Sequence, residues 1–265
     1  MRWPIVARLL SFTMALLIFP AHILATTIVG IWTKKQIIVA ADSKQIVMLQ
    51  NSQIVESQSG CKVFVVRNLV VALAGLAQAE QVSVVDSIRN SRELVELGTN
   101  VKLPELSLEV AAESAVSKVL QKRRMVRDPN VPVQLIVAGM ISGKLKMVRF
   151  ETVGMQIAGN VALPTSTSRI VFPDNRGNDG SYPNRAMAMI GIGNAISRFQ
   201  RVYPDWNKGD DITVARLLVA VEASDAVSSQ FVGAPISTIV VNKKGVRWVD
   251  RGVCQENPPE GSGVR

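Results

Sequence analysis

The order of elements in this sequence predicts a layered protein in which helices pack on mostly antiparallel sheets. Two observations carry that reading. Strand-like runs rich in Thr, Ile and Val come in pairs around short polar breaks, and helical stretches, also paired, separate one group of strands from the next. The chain has 265 residues, 48% hydrophobic and 19% charged, enough to bury a sizeable core and too apolar to stay disordered.

Residues 1–25 read as a secretory signal peptide. Arg2 and Arg8 give a basic start, Leu9 to Phe19 is an apolar run short for a spanning helix, Pro20 breaks it and Ala25 closes it. The best cut falls between Ala25 and Thr26, although Ile23 is bulkier than the small residue usual two positions earlier. A cut after Ala21 would place Phe19 there, which is worse. Processing at Ala25 exports the chain, to a periplasm or the outside, and leaves Thr26 first. A retained leader would instead be an anchor, the one membrane contact expected.

Next come strands at 27–33 and 36–42 around Lys34-Lys35, and a second pair over 61–67 and 68–74 turning near Arg67-Asn68. Residues 77–97 and 106–127 show apolar spacing of three and four, the helical signature, until Asp128-Pro129-Asn130 stops it. A hairpin follows over 131–140 and 145–152, around Ser142-Gly143. Residues 164–184 read as loop with a short strand at 168–172. Residues 186–192 are apolar, 195–203 and 211–228 helical, the latter behind an Asp210/Asp211 cap. Runs at 235–241 and 246–250 close the chain as a hairpin around Lys243-Lys244-Gly245. No repeat or linker divides 26–250, which reads as one domain, with 251–265 a flexible tail, Pro- and Gly-rich from Gln255.

Composition narrows the chemistry. His22 is the single histidine and lies in the leader, so a processed chain has no Ser-His-Asp or Cys-His engine and no His-bearing zinc site. No cofactor or metal is called for. The formal charge of +9 invites a nucleic-acid reading. The densest basic run, 121–127, sits at a helix end and lacks interleaved aromatics, so it reads as a solvated face and no nucleic-acid partner is expected. Cys61 and Cys254 can pair within or between exported chains, which sequence leaves open.

The first hairpin carries the most information. Centring its turn on Lys34-Lys35 sets Thr27 opposite Asp42, so a carboxylate ends strand two one step from Thr26. A threonine made N-terminal owns both a hydroxyl and an α-amine of pKa about 8, a nucleophile and base needing no histidine.

Thr26-Thr27-Ile28-Val29-Gly30, followed by Ile38-Val39-Ala40-Ala41-Asp42-Ser43 at an ungapped spacing, resembles the opening of a proteasome β-type subunit, in the N-terminal-nucleophile hydrolase superfamily. The likeness continues through Cys61-Lys62-Val63-Phe64 and Ala72-Leu73-Ala74-Gly75, with a longer Asp42–Lys62 interval than usual. It implies an α+β fold, a four-layer αββα sandwich, and a subunit of a ring-like homo-oligomer. It implies roles too: Thr26 as nucleophile, Asp42 orienting Lys62, Lys62 depressing nearby pKa values, the Gly75 amide as oxyanion donor, and Leu73 in the substrate pocket.

Farther on, Asp225-Ala226-Val227-Ser228 matches a family Asp-x-x-Ser whose Asp and Ser support the terminal amine, but Ser229-Gln230 replaces two glycines. Gly191-Ile192-Gly193 stands where a family Gly-Ser-Gly places a serine on the nucleophile. The expected function is an exported threonine-type peptidase acting on peptides or unfolded protein. Its alternatives are a small-amide acylase of the same fold and a catalytically silent oligomeric scaffold.

Overall fold

The computed structural model describes residues 26–48, 54–66, 68–75, 78–79, 82–90, 114, 133–141, 143–158, 161–173 and 184–254. The leader, the 121–127 basic run and the tail from Gln255 lie outside the described residues, as does nearly all of the 106–127 helix.

The opening hairpin forms as its sequence dictates. β1 (Thr27–Thr33) and β2 (Gln36–Ala41) pair antiparallel with Ile28 opposite Ala41 and Trp32 opposite Ile37. That is the register centred on Lys34-Lys35, and the Asp42 N–H extends it by donating to Thr27 O at 3.1 Å. β3 (Lys44–Met48) and β4 (Ile54–Ser59) make a separate two-stranded ribbon not anticipated from sequence. β5 (Val63–Val66) and β6 (Leu69–Gly75) pair around the expected turn.

The predicted helix over 77–97 is found over Val84–Arg89 and corrected before it. Two-residue strands β7 (Gln78–Ala79) and β8 (Val82–Ser83) precede a short helix α1 (Val84–Arg89), and residues past 90 lie outside the described part. β9 (Val133–Ile141) and β10 (Lys144–Ala158) form the expected hairpin. β11 (Val161–Phe172) contains the short strand read at 168–172 and corrects the loop reading of 164–167: Pro164 sits opposite Met155 within the strand. β11 is the outer strand of its sheet, where a residue without an N–H is tolerated.

β12 (Arg185–Gly191) leads to α2 (Asn194–Val202) and α3 (Asp211–Ser224). Asp210 caps α3, accepting from the N–H groups of Ile212 at 3.1 Å and Thr213 at 3.0 Å. α3 ends four residues earlier than the pattern predicts, because Asp225 turns extended and its carboxylate takes the N–H groups of Val227 and Ser228. A 3-10 turn over Ser228–Gln230 follows, then β13 (Ser237–Asn242) and β14 (Gly245–Asp250).

Two five-stranded antiparallel sheets result, ordered β12-β1-β2-β13-β14 and β11-β10-β9-β6-β5. Alternation along each strand builds three apolar layers. Ile28, Trp32, Ile37 and Val39 of the first sheet meet Val70, Ala72, Ile136 and Met147 of the second between the sheets. Val29, Ile31, Ile38 and Ala40, on the opposite face, pack under Ile196, Val214 and Leu218 of α2 and α3. Val71, Leu73, Leu135 and Val137 on the far face of the second sheet cover Val84, Val85 and Ile88 of α1. Each buried Val, Leu, Ile or Met among them contributes about 1.5–3 kcal/mol. The order helix, sheet, sheet, helix is the α+β αββα sandwich expected.

Two cross-sheet hydrogen bonds align the sandwich. Trp32 Nε1 donates to Leu145 O at 2.9 Å near the hairpin turns, and Gly191 N donates to Gln134 Oε1 at 2.6 Å at the opposite end. That second end gathers Thr27, Ala41, Gly191, Gly75 and Gln134, the termini of five strands. Residues 251–254, assigned to the tail from sequence, are fixed there: Cys254 is buried and bonded to Cys61 within the chain.

Candidate active site

At the rim, β2 ends at Ala41, and the side chain of the next residue, Asp42, is fully buried. Lys62, on the lead-in to β5, reaches it from the other sheet, with Nζ 3.0 Å from Oδ1 and 2.9 Å from Oδ2. Both side chains are almost wholly buried, at 4% and 0% exposure. The carboxylate is further held by the N–H groups of Thr27 at 2.7 Å, Lys44 at 3.0 Å and Gly233 at 3.2 Å. Asp42 therefore fixes the segment carrying Thr26, the loop after the 3-10 turn and Lys62 to one point.

Burial is the largest influence on both partners, pushing the Asp42 carboxyl above its usual range and the Lys62 ammonium below its own. Their mutual attraction and the N–H donors of Thr27 and Gly233 oppose that push. The ion pair is thus a desolvated charge pair bonded directly to the backbone of Thr27, the residue after Thr26.

The threonine pair is gripped from the other side by β12. Ile192 N donates to Thr26 O at 2.7 Å, and Thr27 Oγ1 donates to Ile192 O, also at 2.7 Å. Ile192 thus serves through its backbone. Gly191 comes so close that a Cβ there would lie 2.0 Å from Thr26 O, and its φ of +85° is one that side-chain-bearing residues rarely adopt. Gln134 anchors this glycine by accepting its N–H through Oε1 at 2.6 Å, and its own Nε2–H donates to Glu151 Oε1, also at 2.6 Å. Thr26 itself is 5% exposed.

A model of the proteasome subunit family matches residues 24–167, just over half of the chain. The chain belongs to the proteasome subunit family. Among curated proteins none matches it. The span matched to the family model holds Thr26, Asp42, Lys62, Leu73 and Gly75, whereas Gly191, Ile192, Asp225 and Ser228 lie beyond it.

The residues singled out in sequence fall into two groups. Thr26, Asp42 and Lys62 converge on the rim. Gly75 ends β6 at that rim, exposed and at φ +91°, paired with Val133 beside Gln134. Leu73, two residues earlier, points to the α1 face among Val84, Val85 and Leu135 and is 3% exposed. Asp225 accepts the Ser228 N–H and pairs with Arg198. Ser228 Oγ donates to Glu222 Oε1 at 2.5 Å, so its hydroxyl proton is directed to that acid.

Sequence reading missed Gln134, Gly191 and Glu222 as site-supporting groups. Glu222 is fully buried, caps α2 by accepting Ile196 N–H at 3.0 Å, and holds Ser228. A lone acid within the apolar run Leu217 to Ala223 was the available signal for it. Among the described residues, no group of three or more His, Cys, Asp or Glu is placed to hold a metal ion.

Proposed function

We propose that this family member is an exported threonine-type amide hydrolase, an endopeptidase for short or unfolded peptides, whose nucleophile is Thr26 once residues 1–25 are removed. The observation that carries the reading is the Asp42 carboxylate bound at once to the Thr27 N–H and to Lys62 Nζ, which sets a buried ion pair against the residue that follows Thr26.

In this mechanism Thr26 Oγ attacks the scissile carbonyl carbon while its own α-amine accepts the hydroxyl proton. Lys62, charged and buried, favours the alkoxide as it forms. The Gly75 amide holds the oxyanion, where loss of one donor costs about 3 kcal/mol of barrier. The amine returns its proton to the leaving nitrogen, and water resolves the ester by the reverse sequence. Asp225 and Ser228 support the amine side, and Leu73 underlies the pocket for the residue before the cut, favouring uncharged side chains there.

Export is supported by the leader and by the Cys61–Cys254 disulfide, a bond that persists in oxidising compartments. Signal peptidase then performs the unmasking. Family membership supports a ring-like homo-oligomer as the working form.

A second reading, a silent scaffold of the same assembly, is favoured by Ile192, which brings no hydroxyl to Thr26. Assay of the processed protein on a panel of peptide amides separates the two: cleavage that survives Thr26→Ser and disappears in Thr26→Ala supports the hydrolase. Equal turnover by the wild type and Thr26→Ala would reject it, and hydrolysis of small acyl amides alone would assign the acylase.

A further inference from the structure

The geometry points to the Cys61–Cys254 disulfide as a positioning element of the active site and a redox switch on it, an inference that rests on the role of Lys62 proposed above. The two residues are 193 apart in sequence, yet the bond ends on the residue directly before Lys62. At its other end, Cys254 is 3% exposed with its sulfur 3.3 Å from Ser237 Oγ. Ser237 pairs with Ala41, the residue directly before Asp42. One end of the disulfide is thus joined to Lys62 through the backbone and the other to Asp42 across one ladder step.

Lys62 needs such a tie. It sits on the lead-in to β5, the outer strand of its sheet among the described residues, and Leu73 N–H meets its carbonyl at 3.0 Å where that ladder begins. Strand ends at sheet edges are the first to open. The disulfide fastens this lead-in to the β13–β14 side of the first sheet, so that charge separation between Lys62 and Asp42 requires a covalently held segment to move. Cys61 is partly exposed and Cys254 buried, so an attacking reagent reaches the Cys61 sulfur.

The switch is a two-electron thiol–disulfide exchange. A dithiol reductant attacks Cys61 Sγ as thiolate, the Cys61–Cys254 bond breaks, and Cys254 leaves as a thiolate that takes a proton. The second thiol of the reductant then closes on the first, releasing Cys61 as a thiol and the reductant as its own disulfide. With the bond open, Lys62 departs from Asp42 and amide hydrolysis slows. The enzyme is then slowed in a reducing compartment and fully active once oxidised after export.

The test uses processed wild-type protein in three forms: oxidised, treated with dithiothreitol, and reoxidised, with a Cys61→Ser/Cys254→Ser variant beside them. Two readouts are taken, kcat and KM on a peptide amide, and acetylation of Lys62 by an amine-reactive ester, read by peptide mass spectrometry after thiols are blocked. Reduction is expected to lower kcat roughly 10- to 100-fold with KM little changed, the cost of a misplaced group. Lys62 should pass from protected to acetylated, and reoxidation should reverse both. The double variant should match the reduced form, and where it fails to fold the reduced wild type decides alone. Equal Lys62 acetylation in oxidised and reduced protein would overturn the clamp. An oxidised protein without activity would remove the hydrolase reading, while Lys62 acetylation would still judge the clamp.

Discussion

Lys62 Nζ lies 2.9 Å from Asp42 Oδ2, with neither side chain more than 4% exposed, so the two sheets are joined at their rim by a desolvated ion pair. Such a pair adds little net stability, but removing one member strands the other charge, at about 3–5 kcal/mol.

Asp42→Asn and Lys62→Met should therefore each destabilise the fold by about that amount, and the combined variant by clearly less than the sum of the two. Denaturant midpoints of the three proteins check this. Acylation of the threonine should be lost in all three: Lys62→Met and the double variant lack the cation, and Asp42→Asn leaves it without the carboxylate that positions it.

Gly191→Ala should be far worse than Gly143→Ala. Both glycines have positive φ, +85° and +75°, but at Gly191 a Cβ meets backbone, 2.0 Å from Thr26 O, while at Gly143 it meets nothing within 4 Å among the described residues. The left-handed conformation alone costs about 1–2 kcal/mol. Gly143→Ala should lose that much and keep activity. Gly191→Ala should lose more and displace Thr26, visible as loss of both thermal stability and turnover.

How far the sequence led is clear from these residues. The Thr27–Asp42 pairing follows from one tight hairpin, where turn position fixes register over fifteen residues. Lys62 stood out as a charge opening an apolar strand. Gln134 did not, because its neighbours Val133 and Leu135 make it look like one polar step in a strand, and only the approach of β12 gives it Gly191 to hold. The partner of Cys61 was likewise closed to sequence, being settled by how β14 runs back along β13 to the rim rather than by spacing. Strand β11 was obscured by Pro164, which is harmless only because the strand is outermost.

The acid limb of stability should report Asp225. The Ser228 N–H, foremost, with the Val227 N–H and Arg198, holds its carboxyl below the usual value of 3.8. The folded protein thus binds fewer protons than the unfolded chain in that range. The contribution is present above the unfolded value and is lost as pH falls through the depressed folded one. Asp225→Asn cannot ionise, so its denaturant midpoint should be lower at neutral pH and should fall less steeply from about pH 5 to about pH 2.

The most direct measurement is the intact mass of the processed protein before and after a threonine-directed β-lactone. The account predicts a chain starting at Thr26 that gains one adduct, absent in Thr26→Ala. A mature chain beginning at any other residue, or one beginning at Thr26 that takes no adduct, would contradict it.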